Sequence, residues 1–186
     1  MAVEVEVKLP VCDRTGLIAK LNGCGFKRGK SVFESDTYYL AEHHDFVKLD
    51  EALRVRTVID RDSGEEKAFI TFKGSKMDSQ TASRTELETY VADGKVMQII
   101  LERIGFTAVL PLEKERVHYL RDDVTVCADE VAGLGCYMEI EVIAADESEK
   151  EAAVKKVADV IVELGMKESD VITDSYLEML VKKAAV

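Results

Sequence analysis

Val3-Glu4-Val5-Glu6-Val7-Lys8-Leu9 alternates strictly between aliphatic and fully charged side chains. A period of two is the signature of a strand, on which successive side chains point to opposite faces. Glu4, Glu6 and Lys8 therefore share one face and Val3, Val5, Val7 and Leu9 the other, with neighbours on a face roughly 7 Å apart. A lone strand of this kind would ordinarily turn its charged face to water. Here the pattern recurs. Arg54 and Arg56 share a face of a strand at 52–59, and Lys73 closes one at 67–73. Arg84, Glu86 and Glu88 share a face of 83–91, and Lys114, Arg116 and His118 have one parity. Asp129 belongs to a further strand, and Tyr137, Glu139 and Glu141 share a face of 135–143.

The segments between these strands complete an α+β pattern. Pro10 ends the first strand, and Asp13 caps a helix carrying Leu17, Ile18 and Leu21 that Gly23 and Gly25 stop. Residues 32–40 are rich in strand formers, 41–51 read as a polar loop, and 60–64 as a turn. Val96, Ile99, Ile100, Leu101 and Ile104 mark a helix at 95–105, and Ala153, Val157, Val160, Ile161 and Leu164 mark one within 147–164. A last short helix, 175–180, follows Asp174 as its cap. No linker, long-period repeat or low-complexity stretch interrupts this order, so residues 1–186 read as one domain.

Composition narrows the function classes. With 47% hydrophobic residues, no apolar run near eighteen and a charged strand directly after the N-terminus, the chain reads as a cytoplasmic protein with no membrane partner. The net charge of −11 speaks against a nucleic-acid partner, because phosphate-backbone binding relies on a basic surface. Cys12, Cys24, Cys127 and Cys136 lie far apart without a CxxC pair and read as reduced thiols. His43 and His44 have no third ligand nearby and read as solvated.

Both signs of charge collect on the same strand parity. Glu4, Glu6, Glu86, Glu88, Asp129, Glu139 and Glu141 oppose Lys8, Arg54, Arg56, Lys73, Arg84, Lys114 and Arg116. About eight strands can close into a barrel, and these side chains would then fill its lumen. Arginine offers a planar fork to phosphate oxygens and lysine a compact charge, so a row of them can follow linked phosphoryl groups. Carboxylates beside them would repel that ligand unless Mg²⁺ or Mn²⁺ bridged the two.

The ordered motifs are Glu4-x-Glu6-x-Lys8, Asp36-Thr37-Tyr38-Tyr39, Ala52-Leu53-Arg54-Val55-Arg56, Thr71-Phe72-Lys73-Gly74, Ser83-Arg84-Thr85-Glu86-x-Glu88, Lys114-x-Arg116, Asp129 ahead of Gly133-Leu134-Gly135, Glu139-x-Glu141 and Ser175-Tyr176-Leu177-Glu178-Met179-Leu180. In this order, over nearly the whole chain, they resemble the CYTH or triphosphate-tunnel superfamily of class IV adenylyl cyclases, thiamine triphosphatases and inorganic triphosphatases. The lead-in to Arg56 and the C-terminal motif look most like the cyclase branch. The resemblance implies a closed antiparallel eight-stranded β-barrel with a charged lumen and helices packed outside. It implies Mg²⁺ or Mn²⁺ on Glu4, Glu6, Asp129, Glu139 and Glu141, and a nucleoside triphosphate or other triphosphate held by Lys8, Arg54, Arg56, Lys73, Arg84, Lys114 and Arg116. Lys8, Arg56 and Asp129 are the expected catalytic set, and a homodimer stays open. Three activities fit: cyclisation of ATP to cyclic AMP and pyrophosphate, hydrolysis of an inorganic or organic triphosphate, or binding without turnover.

Overall fold

The computed structural model describes residues 3–76, 84–109 and 111–184. Ser83 of the fifth motif, and most of the polar loop before it, lie outside them. The opening stretch is strand β1, Val3–Pro10, followed by helix α1, Arg14–Gly23. Strands β2 (Lys27–Ala41), β3 (Ala52–Asp60), β4 (Glu66–Lys73) and β5 (Arg84–Val91) come next. Helix α2 (Gly94–Arg103) leads to β6 (Phe106–Ala108), β7 (Leu112–Arg121), β8 (Val124–Val131) and β9 (Gly135–Ala144). Helices α3 (Lys150–Glu163) and α4 (Tyr176–Ala184) close the chain.

Every ladder among the named strands is antiparallel, in the order β3-β4-β5-β1-β9-β8-β7-β2, and a further pairing of β2 with β3 closes the ring. The barrel therefore has eight strands. The three-residue β6 is a ninth strand of the same sheet, attached to the end of β2. Closure removes the free edges that an open sheet would leave.

The apolar core lies outside this barrel. Val3, Val5, Val7 and Leu9 point outward and are buried with Leu17 and Leu21 of α1, Val126 of β8, Met138 and Ile140 of β9, and Val157, Val160 and Ile161 of α3. Burying each such side chain is worth about 2 kcal/mol. The charged parity of β1 is thereby turned inward, because only the other face can meet the helices. A second, smaller cluster sets Leu101 and Met97 of α2 on Tyr39 and Val55. A third packs Tyr176, Leu177 and Leu180 of α4 on Leu112 and Val131.

Four local expectations are corrected. The cap of α4 is Ser175, not Asp174: its hydroxyl accepts from the Glu178 amide at 3.2 Å, and the Glu178 carboxylate accepts from the Ser175 amide at 2.6 Å. Asp174 instead pairs with Lys182. The reciprocal pair is a capping box, and Ser-x-x-Glu spells it. The expected helix at 147–164 opens as a 3-10 turn at Glu147–Glu149, because Asp146 caps it through the Ser148 amide, and the α-helix starts at Lys150. His43 and His44 are not simply solvated. His44 meets Glu51 at 2.6 Å and packs edge-on against Phe46, while His43 meets Phe106. Finally, of the apolar positions read for α2, only Leu101 is buried. No helix among the described residues is long and apolar enough to cross a membrane.

Candidate active site in the tunnel

Register decides which inward side chains face one another. Lys8 stands opposite Glu139 and Glu6 opposite Glu141 across β1 and β9. Asp36 is opposite Arg56 and Glu34 opposite Lys114, both from β2. Arg116 is opposite Asp129, and Lys73 opposite Glu86. All of these except Asp129 line a cavity of about 400 Å³, within the range of small-ligand sites. Acids outnumber cations along its lining.

Nearly every lumenal cation is held by a carboxylate. Asp36 accepts a forked pair from Arg56 at 2.6 and 2.8 Å and lies 3.5 Å from Arg54. Glu34 lies between Lys114 at 2.9 Å and Arg56 at 3.0 Å. Arg116 makes a forked pair with Asp129 at 2.7 and 2.6 Å and also donates to Glu139 and Glu141. Lys8 lies 3.2 Å from Glu139, and Lys73 lies 2.7 Å from Glu86 and 3.3 Å from Glu4. Arg84 reaches Asp50 at 3.7 Å. The buried Arg54 Nε has no hydrogen-bond partner among the described residues, leaving one donor free to take an incoming oxygen.

These pairings divide the acids into two groups. Burial alone would raise Asp36, but the Arg56 and Arg54 guanidiniums outweigh it and hold the carboxyl well below the usual range. The same balance depresses Glu34 through Arg56 and Lys114, and Glu139 through Arg116 and Lys8. Glu4, Glu6 and Glu141 go the other way. Burial raises all three; Glu141 reaches about 7 although Arg116 opposes the rise, and the neighbouring Glu139 adds to Glu6. Carboxylate oxygens of these three lie within 4.8 Å of one another, a spacing that suits one cation. A hard divalent ion there would supply the positive charge that this trio lacks.

The C-terminal segment enters one end of the tunnel. Ile172 bridges to β1 by donating to the Lys8 carbonyl at 2.8 Å. Lys8 Nζ in turn donates to the Asp174 carbonyl at 3.1 Å. The Tyr176 ring lies under Lys8 Nζ, 4.1 Å from its centroid, and its hydroxyl donates to Asp129 at 2.8 Å. At the same end Phe46, Val47 and Leu177 give the cavity an apolar wall.

Of the residues singled out from sequence, Glu4, Glu6, Lys8, Arg54, Arg56, Lys73, Arg84, Lys114, Arg116, Glu139 and Glu141 all line this one cavity. Asp129 is buried beyond the lining, behind Arg116 and Tyr176. It and Glu139 stand outside the acid trio, each held by Arg116. Sequence reasoning passed over Glu34 as a lumenal acid and gave Asp36 no role. The signal was present: Glu34, Asp36 and Tyr38 alternate along β2 as Glu4, Glu6 and Lys8 do along β1. The loop residues Phe46 and Asp50 had no periodic signal to find them by.

A closed antiparallel barrel with an acid trio on one wall and guanidinium and ammonium groups on the others defines a charged-tunnel protein. The CYTH domain family model matches residues 2–176, and the chain belongs to that family. It is 33% identical over 177 residues to a Methanocaldococcus jannaschii protein named "Putative adenylate cyclase", covering 95% of this chain and 98% of the relative. The PH1819 protein of Pyrococcus horikoshii has a similar structure, with a TM-score of 0.88 and 34% identity over 97% of this chain and 99% of its own. A more distant structure, HpAC1 from Hippeastrum, shares the fold at a TM-score of 0.65 and 16% identity, covering 100% of this chain and 96% of its own.

Proposed function

We propose that the protein is a metal-dependent enzyme that binds a triphosphate lengthwise in the tunnel, and that with ATP it forms cyclic AMP and pyrophosphate. The observation that carries this reading is the split among the lumenal acids. Carboxylates already neutralised by arginine and lysine line one part of the lumen, and three under-neutralised ones gather at another. Mg²⁺ or Mn²⁺ on Glu4, Glu6 and Glu141 would neutralise phosphate charge and polarise the phosphoryl oxygens. Asp129 and Glu139 join that set in the resemblance, and here they aim Arg116 into the lumen.

The remaining work belongs to the chain's own groups. Arg54, Arg56 and Lys114 exchange Asp36 and Glu34 for phosphate oxygens, and their fixed positions on facing strands keep the triphosphate extended. Lys8, Arg56 and Arg116 stabilise the charge that develops as the ribose 3′-oxygen bonds to the α-phosphorus, its proton leaves and the bond to the β-phosphate breaks. Phe46, Val47 and Leu177 offer an organic group an apolar seat at the tunnel end, which favours a nucleoside triphosphate over bare triphosphate. The name of the M. jannaschii relative agrees with this reading.

The second reading is triphosphate hydrolysis, in which water attacks a terminal phosphorus in the same charged walls. The Hippeastrum structure is described as revealing a dominant triphosphatase activity. The register of the triphosphate along the tunnel, which decides whether the α- or the terminal phosphorus meets the nucleophile, separates the two reactions. Anion-exchange separation of products from ATP with Mg²⁺ or Mn²⁺, alongside inorganic triphosphate, tests this. Equimolar cyclic AMP and pyrophosphate are expected. ADP with orthophosphate, or cleavage of inorganic triphosphate without a cyclic product, would replace the cyclase reading with the hydrolase one.

A further inference from the structure

Helix α2 carries more apolar surface than the barrel covers. Met97 and Leu101 dock on it, whereas Val96, Ile99, Ile100 and Ile104 stay 49%, 54%, 46% and 62% exposed. At 3.6 residues per turn these four fall on one side of the helix, adjoining the docked side. They leave roughly 400 Å² open, the size of the largest apolar patch on a typical monomer, which is often functional. We propose that this stripe pairs with the same stripe of a second copy of the chain, the two α2 helices lying antiparallel about a two-fold axis.

Charge identifies the occupant. Lys95 in the first turn and Glu102 in the last are both exposed and edge the same side of the stripe, two turns apart. An antiparallel two-fold keeps like edges together and reverses their ends. Lys95 of each copy then meets Glu102 of the other, while Ile99 and Ile100 pack against their counterparts at the centre. A parallel two-fold would exchange the edges and leave Lys95 and Glu102 of each copy without these partners. Arg103, within the stripe near its C-terminal end, lays its aliphatic stem over Val96 of the other copy. A standard interface buries about 800 Å² per partner, so the helix contributes about half. Thr107 and Ala108 of β6, which follows α2 directly, are exposed as well.

This pairing uses no tunnel residue and is tested apart from the activity. Sedimentation equilibrium of the full chain should give twice the 20.7 kDa chain mass. Ile100→Asp, or Ile99→Lys as a second variant, should give single chains with an unchanged circular dichroism spectrum. Lys95→Glu and Glu102→Lys should each weaken the dimer about tenfold, and combining them should restore it. A wild-type chain that sediments as a monomer at its highest soluble concentration, as expected if a different protein covers the stripe, overturns the proposal. So does a dimer indifferent to Ile100→Asp. A double reversal weaker than either single one overturns the antiparallel register.

Discussion

Glu141 and Asp36 are carboxylates of the same lumen with opposite proton affinities, and the difference makes predictions at the scale of single residues. Burial lifts Glu141 to about 7 while Asp36 stays ionised against Arg56. A cation on the trio competes with a proton on Glu141, so Mn²⁺ affinity should rise between pH 6 and pH 8. Isothermal titration at the two values checks this, and a flat profile would remove Glu141 from the metal set. Glu6→Gln should abolish Mn²⁺ binding together with turnover. Arg56→Ala should keep Mn²⁺ binding and lose triphosphate binding, because the arginine meets the phosphate and not the metal.

At the scale of elements, the tunnel end depends on a short helix held by its cap. Removing the Ser175 hydroxyl leaves the Glu178 amide without its partner, so Ser175→Ala should cost about 1 kcal/mol in denaturant unfolding. Because Tyr176 follows the cap, loosening α4 should also release the bond to Asp129. Ser175→Asp, which can accept the same hydrogen bond, should recover most of the loss. Recovery by Ser175→Asp separates a capping role from a packing one. β2 illustrates a different limit of sequence reading. Its pattern was legible from residue 32, but the strand runs from Lys27, with a register shift between Arg28 and Ser31 that breaks the alternation. The extra residue lies in β2 itself, at Gly29-Lys30, where three steps of β2 oppose two of β7, and a period of two cannot run through it.

For the whole molecule, the lumen is a set of ion pairs whose stability depends on pH in two directions. Asp36, Glu34 and Glu139 have depressed values, so the stability they lend is present above the ordinary carboxylate range and is lost as pH falls below it. Glu141 has a raised value, so its contribution is full below about 4.5 and gone above about 7. The metal-free protein should therefore lose of the order of 3 kcal/mol from this one group as pH rises through that window. Thermal melts at pH 5 and pH 8 should show the fall, and Glu141→Gln should flatten it. Triphosphate with Mg²⁺ binds only the closed barrel, so a hundredfold excess over Kd should add about 2.7 kcal/mol. The same triphosphate with a chelator should add far less. Equal melting temperatures in the two samples would contradict a metal-bridged site.

What the sequence determined by itself was periodicity: the two-residue alternation from Val3 to Leu9, and its recurrence, assign each charged side chain to a face without any knowledge of neighbours. That was enough for most of the strands, the lumenal charges outside β2 and the helices α1 and α3. Only the tertiary structure decided which charges meet, because register and closure set the distances, and pKa follows distance and burial more than identity. Tertiary structure therefore made Glu4, Glu6 and Glu141 a trio and left Asp129 behind Arg116. It also brought Tyr176 and the 46–52 loop to the tunnel end, far from their partners in sequence. The stripe on α2 stayed open for the same reason. The periodicity of a helix counts its apolar faces, but only the surface of the barrel decides how many of them it covers.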